Sequence, residues 1–175
     1  MGRVMSDLEA RAMQFATLAH GEINQKRRYT DESYIVHPAA VVQLVSTVAH
    51  THEMLAAAWL HDVVEDTKTT LDEIHRVFGF GVATLVEMVT DVSKPSDGNR
   101  KERKRLDRMH LAIASAEAKT IKLADLIDNS FSIMKYDPDF AKVYIPEKRL
   151  LLEILREGNP ILWQMAHNLI NPQDV

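Results

Sequence analysis

Apolar side chains recur along this chain with the three-to-four-residue spacing of α-helices. A first helix is predicted from Ser6, which forms a capping box with Glu9, to about His20. Further helices are predicted over residues 37–47, 51–66, 81–91 and 117–134. Three more are predicted without full bounds: a short helix capped by Thr70, a basic helix from Asn99 and a helix with Pro146 in its first turn. No segment alternates like a β-strand and no repeat occurs, so the fold class is predicted to be all-α.

The composition favours one domain of this class. A chain of 175 residues usually builds a single core. Its hydrophobic fraction of 46% and charged fraction of 26% are ordinary for globular proteins and disfavour disorder. Only 6 glycines and 6 prolines interrupt the chain, which favours helices over many short strands. We expect a single domain over residues 1–175.

Several classes of function are excluded by composition and charge. With no cysteine, the chain cannot form disulfides, a thiolate zinc site, an iron–sulfur cluster or a cysteine nucleophile, so any metal must use nitrogen and oxygen ligands. A net charge of −4 disfavours nucleic acid as a partner. No signal peptide is recognisable and no apolar run reaches the roughly 18 residues that span a bilayer, so we expect a cytoplasmic protein without a membrane partner.

Residues 61–66, HDVVED, hold the strongest chemical signal. On one continuous helix, His61, Asp62, Glu65 and Asp66 would lie at about 0°, 100°, 40° and 140° around the axis, on one face. Carboxylates at this spacing repel one another, so a metal ion or a substrate is expected to offset their charge. The alternative is a solvent-exposed acidic helix end.

Two other segments could complete such a site. His37 precedes Pro38 at a predicted helix start, although a residue there often serves only as a cap. Asp125 lies in the apolar segment IKLADLIDN, where a carboxylate needs a partner, which could simply be Lys122. Two imidazoles and two carboxylates from these segments would suit Mn²⁺, Fe²⁺ or Zn²⁺ without selecting among them.

Four stretches in one order carry a family resemblance. They are FATLAHGEINQKRRYTDESYIVHP at 15–38, LAAAWLHDVVEDT at 55–67, FGFGVATLVEMVTDVSK at 78–94 and KTIKLADLIDN at 119–129. With them the chain resembles the HD-domain hydrolases of bacterial alarmones, the hydrolase half of RelA/SpoT-type proteins and their small stand-alone relatives. The resemblance implies a helical HD-domain bundle with a metal site in a central cleft. It also implies one Mn²⁺ per chain, other divalent metals being an alternative, and removal of the 3′-pyrophosphate of (p)ppGpp to give GDP or GTP.

The resemblance also implies roles for individual residues. The implied metal ligands are His37, His61, Asp62 and Asp125. Glu65 and Asp66 are the implied catalytic pair that acts on the attacking water.

Residues that contact the substrate are implied in several segments. Arg28 is expected to stack on the purine, and Tyr29 could stack in its place. The base and ribose are expected to meet a further set: Asn129, Ser132 and Tyr144. Six of the nine residues from Arg100 to Arg108 are basic, and among them Arg103 and Lys104 are candidates for the 5′ phosphates. The alternative is a solvent-exposed helix face whose charges pair internally.

The sequence leaves open which nucleotide base the substrate carries and which hydrolysis reaction takes place. Asp31, Glu32 and Ser33 stand where the family usually has Gly-Glu-Pro, so a guanine alarmone or its adenine counterpart, (p)ppApp, could fit. A phosphohydrolase that releases phosphate from NADPH or a deoxynucleotide monophosphate is an alternative, as is a non-catalytic alarmone-binding module. Retention of Glu65 and Asp66 argues against the binding module. The expected partner is a small nucleotide polyphosphate, and a homo-oligomer stays open.

Overall fold

A computed structural model describes residues 4–172, and this part of the chain is helical. The α-helices are α1 (Asp7–Glu22), α2 (Val36–Ser46), α3 (His52–Leu60), α4 (Val63–Asp66), α5 (Leu71–Phe78), α6 (Phe80–Val89), α7 (Arg100–Ala112), α8 (Ala116–Tyr136), α9 (Pro138–Ile154) and α10 (Pro160–Ile170). Short 3₁₀ turns occur at Pro95–Asp97 and Leu155–Glu157. Within residues 4–172, β pairing is limited to one isolated bridge between Lys26 and Ser33. The prediction of an all-α fold is confirmed.

The chain forms two compact units, divided between residues 90 and 91. The expectation of a single domain over residues 1–175 stays a prediction. In the first unit, α3 packs against α1, α2 and α6. Every residue of α3 from Met54 to Leu60 is buried, and the small side chains of Ala56 and Ala58 are fully enclosed. Helix α3 is therefore the central support of the first unit.

The second unit is built around α8, which packs against α9 and α10. Its apolar positions are buried, as the sequence of this segment predicts, and they include Ile121, Leu123 and Leu126. Helix α7 packs on α9. Lys119 is also buried in α8, where its ammonium group donates a hydrogen bond of 3.0 Å to Ala112 O.

Predicted helix starts agree with the observed caps. The Ser6 hydroxyl accepts a hydrogen bond from Glu9 N, and the Thr70 hydroxyl accepts one from Glu73 N. The side chain of Asn99 does the same for Glu102 N at the start of the basic helix. Each cap supplies an acceptor for a backbone N–H that has no partner within the helix.

Two predictions about helix boundaries were wrong. The segment from Thr51 to Asp66 is not one helix, because α3 ends at Leu60 and α4 starts at Val63. The His61 ring takes Ala58 O at 2.8 Å, the carbonyl that the Asp62 N–H would use in a continuing helix. The other error concerns Pro146, which lies inside α9, whereas Pro138 occupies the first turn.

No helix within residues 4–172 combines the length and the apolar character needed to cross a membrane.

Gly158 marks a close approach between the 3₁₀ turn at Leu155–Glu157 and α8. A Cβ atom there would lie 2.8 Å from Leu123 Cδ1 and 3.1 Å from the Lys119 carbonyl carbon. Gly158→Ala is therefore expected to lower the free energy of unfolding by about 1–3 kcal/mol, measured by urea denaturation. The matched control is Gly21→Ala in α1, where a Cβ would meet nothing within 4 Å, and which should stabilise the chain by about 0.5–1 kcal/mol. Equal effects at the two glycines would contradict this packing.

Candidate functional site

Three side chains converge in the first unit on a buried point. His37 Nε2 lies 3.2 Å from His61 Nε2 and 3.5 Å from Asp62 Oδ2, and His61 Nε2 lies 3.0 Å from the same carboxylate oxygen. Both imidazoles are buried, with 1% and 2% exposure for His37 and His61. These residues could therefore hold a metal ion together.

Local backbone structure brings the three residues together. His37 is the second residue of α2 and precedes Pro38, whose missing N–H costs nothing in a first helical turn. His61 and Asp62 form the turn between α3 and α4. Because α3 is buried and packs on α2, that turn lies against the start of α2.

The protonation of His61 fits a divalent cation. Its Nδ1 faces Ala58 O, and a carbonyl only accepts, so Nδ1 carries a proton. In the neutral ring, Nε2 then has the lone pair that a metal ion requires. Nε2 faces His37 Nε2 and a carboxylate oxygen of Asp62. Two imidazole nitrogens and a carboxylate suit Mn²⁺, Fe²⁺ or Zn²⁺. A backbone carbonyl that orients a histidine ligand is a common feature of metal sites.

Tyr34 supports this cluster, and the sequence analysis assigned it no role. Its hydroxyl donates a hydrogen bond of 2.5 Å to Asp62 Oδ2, the oxygen nearest to the two imidazoles. Its ring lies between the rings of His20 and His37, at centroid distances of 4.8 and 5.7 Å. Tyr34 precedes His37 by three residues, in a segment that the family resemblance covers. That position was the sequence signal from which its role could have been predicted.

Helix α4 carries the predicted catalytic pair, Glu65 and Asp66. Asp66 Oδ2 accepts a hydrogen bond of 2.7 Å from Gln25 Nε2, and Gln25 Oε1 accepts one of 2.7 Å from His20 Nδ1. Burial raises the pKa of Asp66, with the charge of Asp62 acting in the same direction and the Gln25 hydrogen bond opposing both. The carboxyl group of Asp66 is thus held at one oxygen by a neutral amide.

His20, to which the sequence analysis assigned no role, is buried beside Gln25. Its Nδ1 is paired with Gln25, but its buried Nε2 has no hydrogen-bond partner among residues 4–172. Burial lowers the pKa of His20 and favours the neutral ring. A neutral ring with a proton on Nδ1 is the form that can donate to the Gln25 carbonyl oxygen.

The predicted base-binding loop follows α1. Arg28 lies over the ring of its neighbour Tyr29, with 5.4 Å between the guanidinium carbon and the ring centroid. The isolated bridge from Lys26 to Ser33 closes this loop, and Asp31 adopts a φ of 57° at its tip. The two residues proposed to stack on a base are therefore adjacent in space, while their contact with a nucleotide stays a prediction.

The remaining predicted residues belong to the second unit. Asp125 is buried on α8, pairs with Lys122 Nζ at 3.0 Å and accepts a hydrogen bond of 2.7 Å from Asn129 Nδ2. The ion pair with Lys122 is the alternative that the sequence left open. Ser132 also lies on α8, and Tyr144 is buried on α9. The role of Asp125 as a fourth metal ligand stays a prediction.

The charges of the basic helix α7 are partly neutralised by nearby carboxylates. Arg105 pairs with Glu102 of the same helix at 2.6 Å, and Lys104 pairs with Asp91, which precedes the helix, at 2.9 Å. Arg103 differs, because its Nε is buried and makes no hydrogen bond within the described part of the chain. Phosphate binding by Arg103 and Lys104 stays a prediction.

Comparisons with known proteins agree with the resemblance. A family model described as HD domain matches residues 12–145. The guanosine-3′,5′-bis(diphosphate) 3′-pyrophosphohydrolase of Aquifex aeolicus (strain VF5) is 38% identical over 162 residues, which are 91% of this chain and 21% of the relative. The Xenopus tropicalis enzyme of the same name, MESH1, is 37% identical over 139 residues, or 77% of this chain and 76% of the relative. This chain thus spans about a fifth of the Aquifex protein.

A solved structure is also similar. It is that of a metazoan ortholog of SpoT that hydrolyses ppGpp and plays a role in starvation responses. The TM-score is 0.85, with 29% sequence identity and coverage of 97% of each chain.

Removal of the Tyr34 hydroxyl tests the geometry of the cluster. Tyr34→Phe deletes the donor that orients Asp62 Oδ2, so the affinity for Mn²⁺ is expected to fall by about ten- to a hundredfold. The measurement is the rise in melting temperature during Mn²⁺ titration. Tyr136→Phe, at the end of α8 in the second unit, is the control and should leave the titration unchanged. Identical titrations for wild type and Tyr34→Phe would show that this hydrogen bond has no part in metal binding.

Proposed function

Since the chain belongs to the HD-domain family, we propose that it is a Mn²⁺-dependent hydrolase of a guanosine or adenosine alarmone. Its substrate is (p)ppGpp or (p)ppApp, from which it removes the 3′-pyrophosphate. The observation that carries the proposal is the buried convergence of His37, His61 and Asp62. Its support is the similarity to two relatives named as 3′-pyrophosphohydrolases.

The proposed metal ligands are those three residues and Asp125. Bound Mn²⁺ would lower the pKa of a coordinated water and neutralise charge that develops on the attacked phosphate. Within the first unit, Tyr34 holds Asp62 Oδ2 in position. Ala58 O holds the His61 ring in the tautomer that presents its Nε2 lone pair.

Asp66 is the proposed general base, and Glu65 is the second carboxylate that orients the attacking water. Gln25 engages Asp66 Oδ2 and leaves Oδ1 to accept the proton of the water. The oxygen of that water bonds to the phosphorus nearest the ribose. The bond from this phosphorus to the 3′ oxygen breaks, and the proton that Asp66 accepted passes to that oxygen. Pyrophosphate leaves, and the ribose regains a 3′ hydroxyl.

The proposed substrate contacts are those that the family resemblance implies. Arg28 or Tyr29 stacks on the purine, which accommodates guanine and adenine alike, because every base offers a flat face. Three residues of α8 and α9 contact the ribose and base: Asn129, Ser132 and Tyr144. Arg103 and Lys104 of α7 bind the 5′ phosphates, and the unsatisfied Nε of Arg103 supports its assignment.

The products of the reaction test the proposal. The chain, loaded with Mn²⁺, is incubated in parallel with ppGpp, ppApp, NADPH and a panel of deoxynucleotide monophosphates, and the products are separated by ion-exchange chromatography. Pyrophosphate together with GDP or ADP is the expected result and identifies the base. Release of phosphate from NADPH or a deoxynucleotide would move the chain to the alternative phosphohydrolase class. Tight alarmone binding without turnover would make it a binding module.

A second test separates the proposed catalytic residues from the proposed ligands. Asp66→Asn and Glu65→Gln should each reduce turnover by at least about a hundredfold while Mn²⁺ still binds. Asp62→Asn and Asp125→Asn should lose turnover together with the rise in melting temperature that Mn²⁺ produces.

The control is Asp139→Asn, an exposed carboxylate on α9, which should change neither property. Equal loss of metal in the Asp66 and Asp62 variants would refute the division of roles.

A further inference from the structure

Lys148 of α9 forms no ion pair with a carboxylate of residues 4–172. Its Nζ lies 4.8 Å from the ring centroid of Tyr144, one helical turn earlier. Within the same residues its ammonium group donates no hydrogen bond, and the charges of Asp125 and Asp91 act on it only at longer range. The side chain is partly buried, so water screens its charge only in part.

The cations that surround Lys148 each have an acidic partner. Lys104 of α7 pairs with Asp91, and Lys122 of α8 pairs with Asp125. A carboxylate next to Lys148 in sequence, Glu147, is also engaged, since Arg100 of α7 holds it with hydrogen bonds of 2.7 and 2.9 Å. These carboxylates therefore form their ion pairs with other cations, although Asp91 and Asp125 also attract Lys148.

Two contacts fix the position of Lys148 between α7 and α8. The bidentate pair of Arg100 and Glu147 fastens α9 to α7 directly before Lys148. Helix α8 is joined to α9 by the Ser130 hydroxyl, which donates a hydrogen bond of 3.3 Å to the hydroxyl of Tyr144. The ammonium group is thus held in place by its helix and does not depend on a partner of its own.

The charges of the three lysines act on one another. Burial lowers the pKa of Lys148 to about 8, and the positive charges of Lys122 and Lys104 add to this effect, while the negative charges of Asp125 and Asp91 oppose it. Burial would raise the pKa of Asp91, but Lys122, Lys104 and Lys148 together lower it. A partly desolvated cation that forms no ion pair costs free energy, which a bound anion would offset.

We propose that Lys148, together with Lys104 and Lys122, binds a phosphate group of the nucleotide substrate. This inference rests on the proposed function and adds to it a phosphate contact that the sequence did not indicate. A lysine ammonium presents a compact charge with three donors, which suits a phosphate oxygen. The group bound is either the 3′-pyrophosphate or the 5′ diphosphate, which share this chemistry.

The test uses calorimetry on the full chain in its metal-loaded form, with magnesium pyrophosphate and with GDP as separate ligands. Lys148→Met should weaken binding of at least one of them by about tenfold or more. Loss confined to pyrophosphate assigns Lys148 to the 3′ group, whereas loss for GDP assigns it to the 5′ group. Lys148→Arg should keep most of the affinity, and Lys142→Met, an exposed lysine of α9 paired with Asp139, is the matched control.

Stability distinguishes a ligand contact from a structural role. Without ligand, Lys148→Met should melt at the same temperature as wild type or above it, because the variant removes a partly desolvated charge that forms no ion pair. Unchanged affinity for both ligands would overturn the inference, as would a fall in melting temperature that accompanies the loss of binding. If ppGpp is not hydrolysed while magnesium pyrophosphate still binds through Lys148, the proposed function fails and the phosphate site stands.

Discussion

The hydrogen bond between the His61 ring and Ala58 O is the interaction on which the candidate site depends. The bond lies at the turn between α3, which ends at Leu60, and α4, which starts at Val63. The same bond places a proton on Nδ1 and turns Nε2 toward His37 and Asp62. Because α3 is buried from Met54 to Leu60, this turn is held by a packed support, which is what a metal site with precise geometry requires.

Much of the fold follows from patterns that the sequence displays. Ser6, Thr70 and Asn99 cap helices where their side chains predict it, since a local acceptor satisfies the first backbone N–H groups. The break at His61 could not be predicted, because the helix periodicity of residues 51–66 continues across it. Pro146 was placed wrongly because a proline is compatible with a helix start and is also tolerated, at a cost, inside a long packed helix.

The sequence analysis predicted the types of residue that form the site. It did not predict the residues that hold them in position. His37, His61 and Asp62 come from segments that the sequence singles out, and they converge within the first unit. Tyr34 and Gln25 act through long-range hydrogen bonds to Asp62 and Asp66, which no local spacing encodes. Lys148 was not singled out for a similar reason. The packing of three helices decides which side chains reach its ammonium group, and the sequence does not show that packing.

Anomalous diffraction at the manganese edge, from crystals of the chain grown with Mn²⁺, tests the central claim most directly. The account predicts one strong peak per chain at about 2.0–2.3 Å from His37 Nε2, His61 Nε2 and a carboxylate oxygen of Asp62. A chain with no peak at these three residues, or with manganese bound only elsewhere, would contradict it.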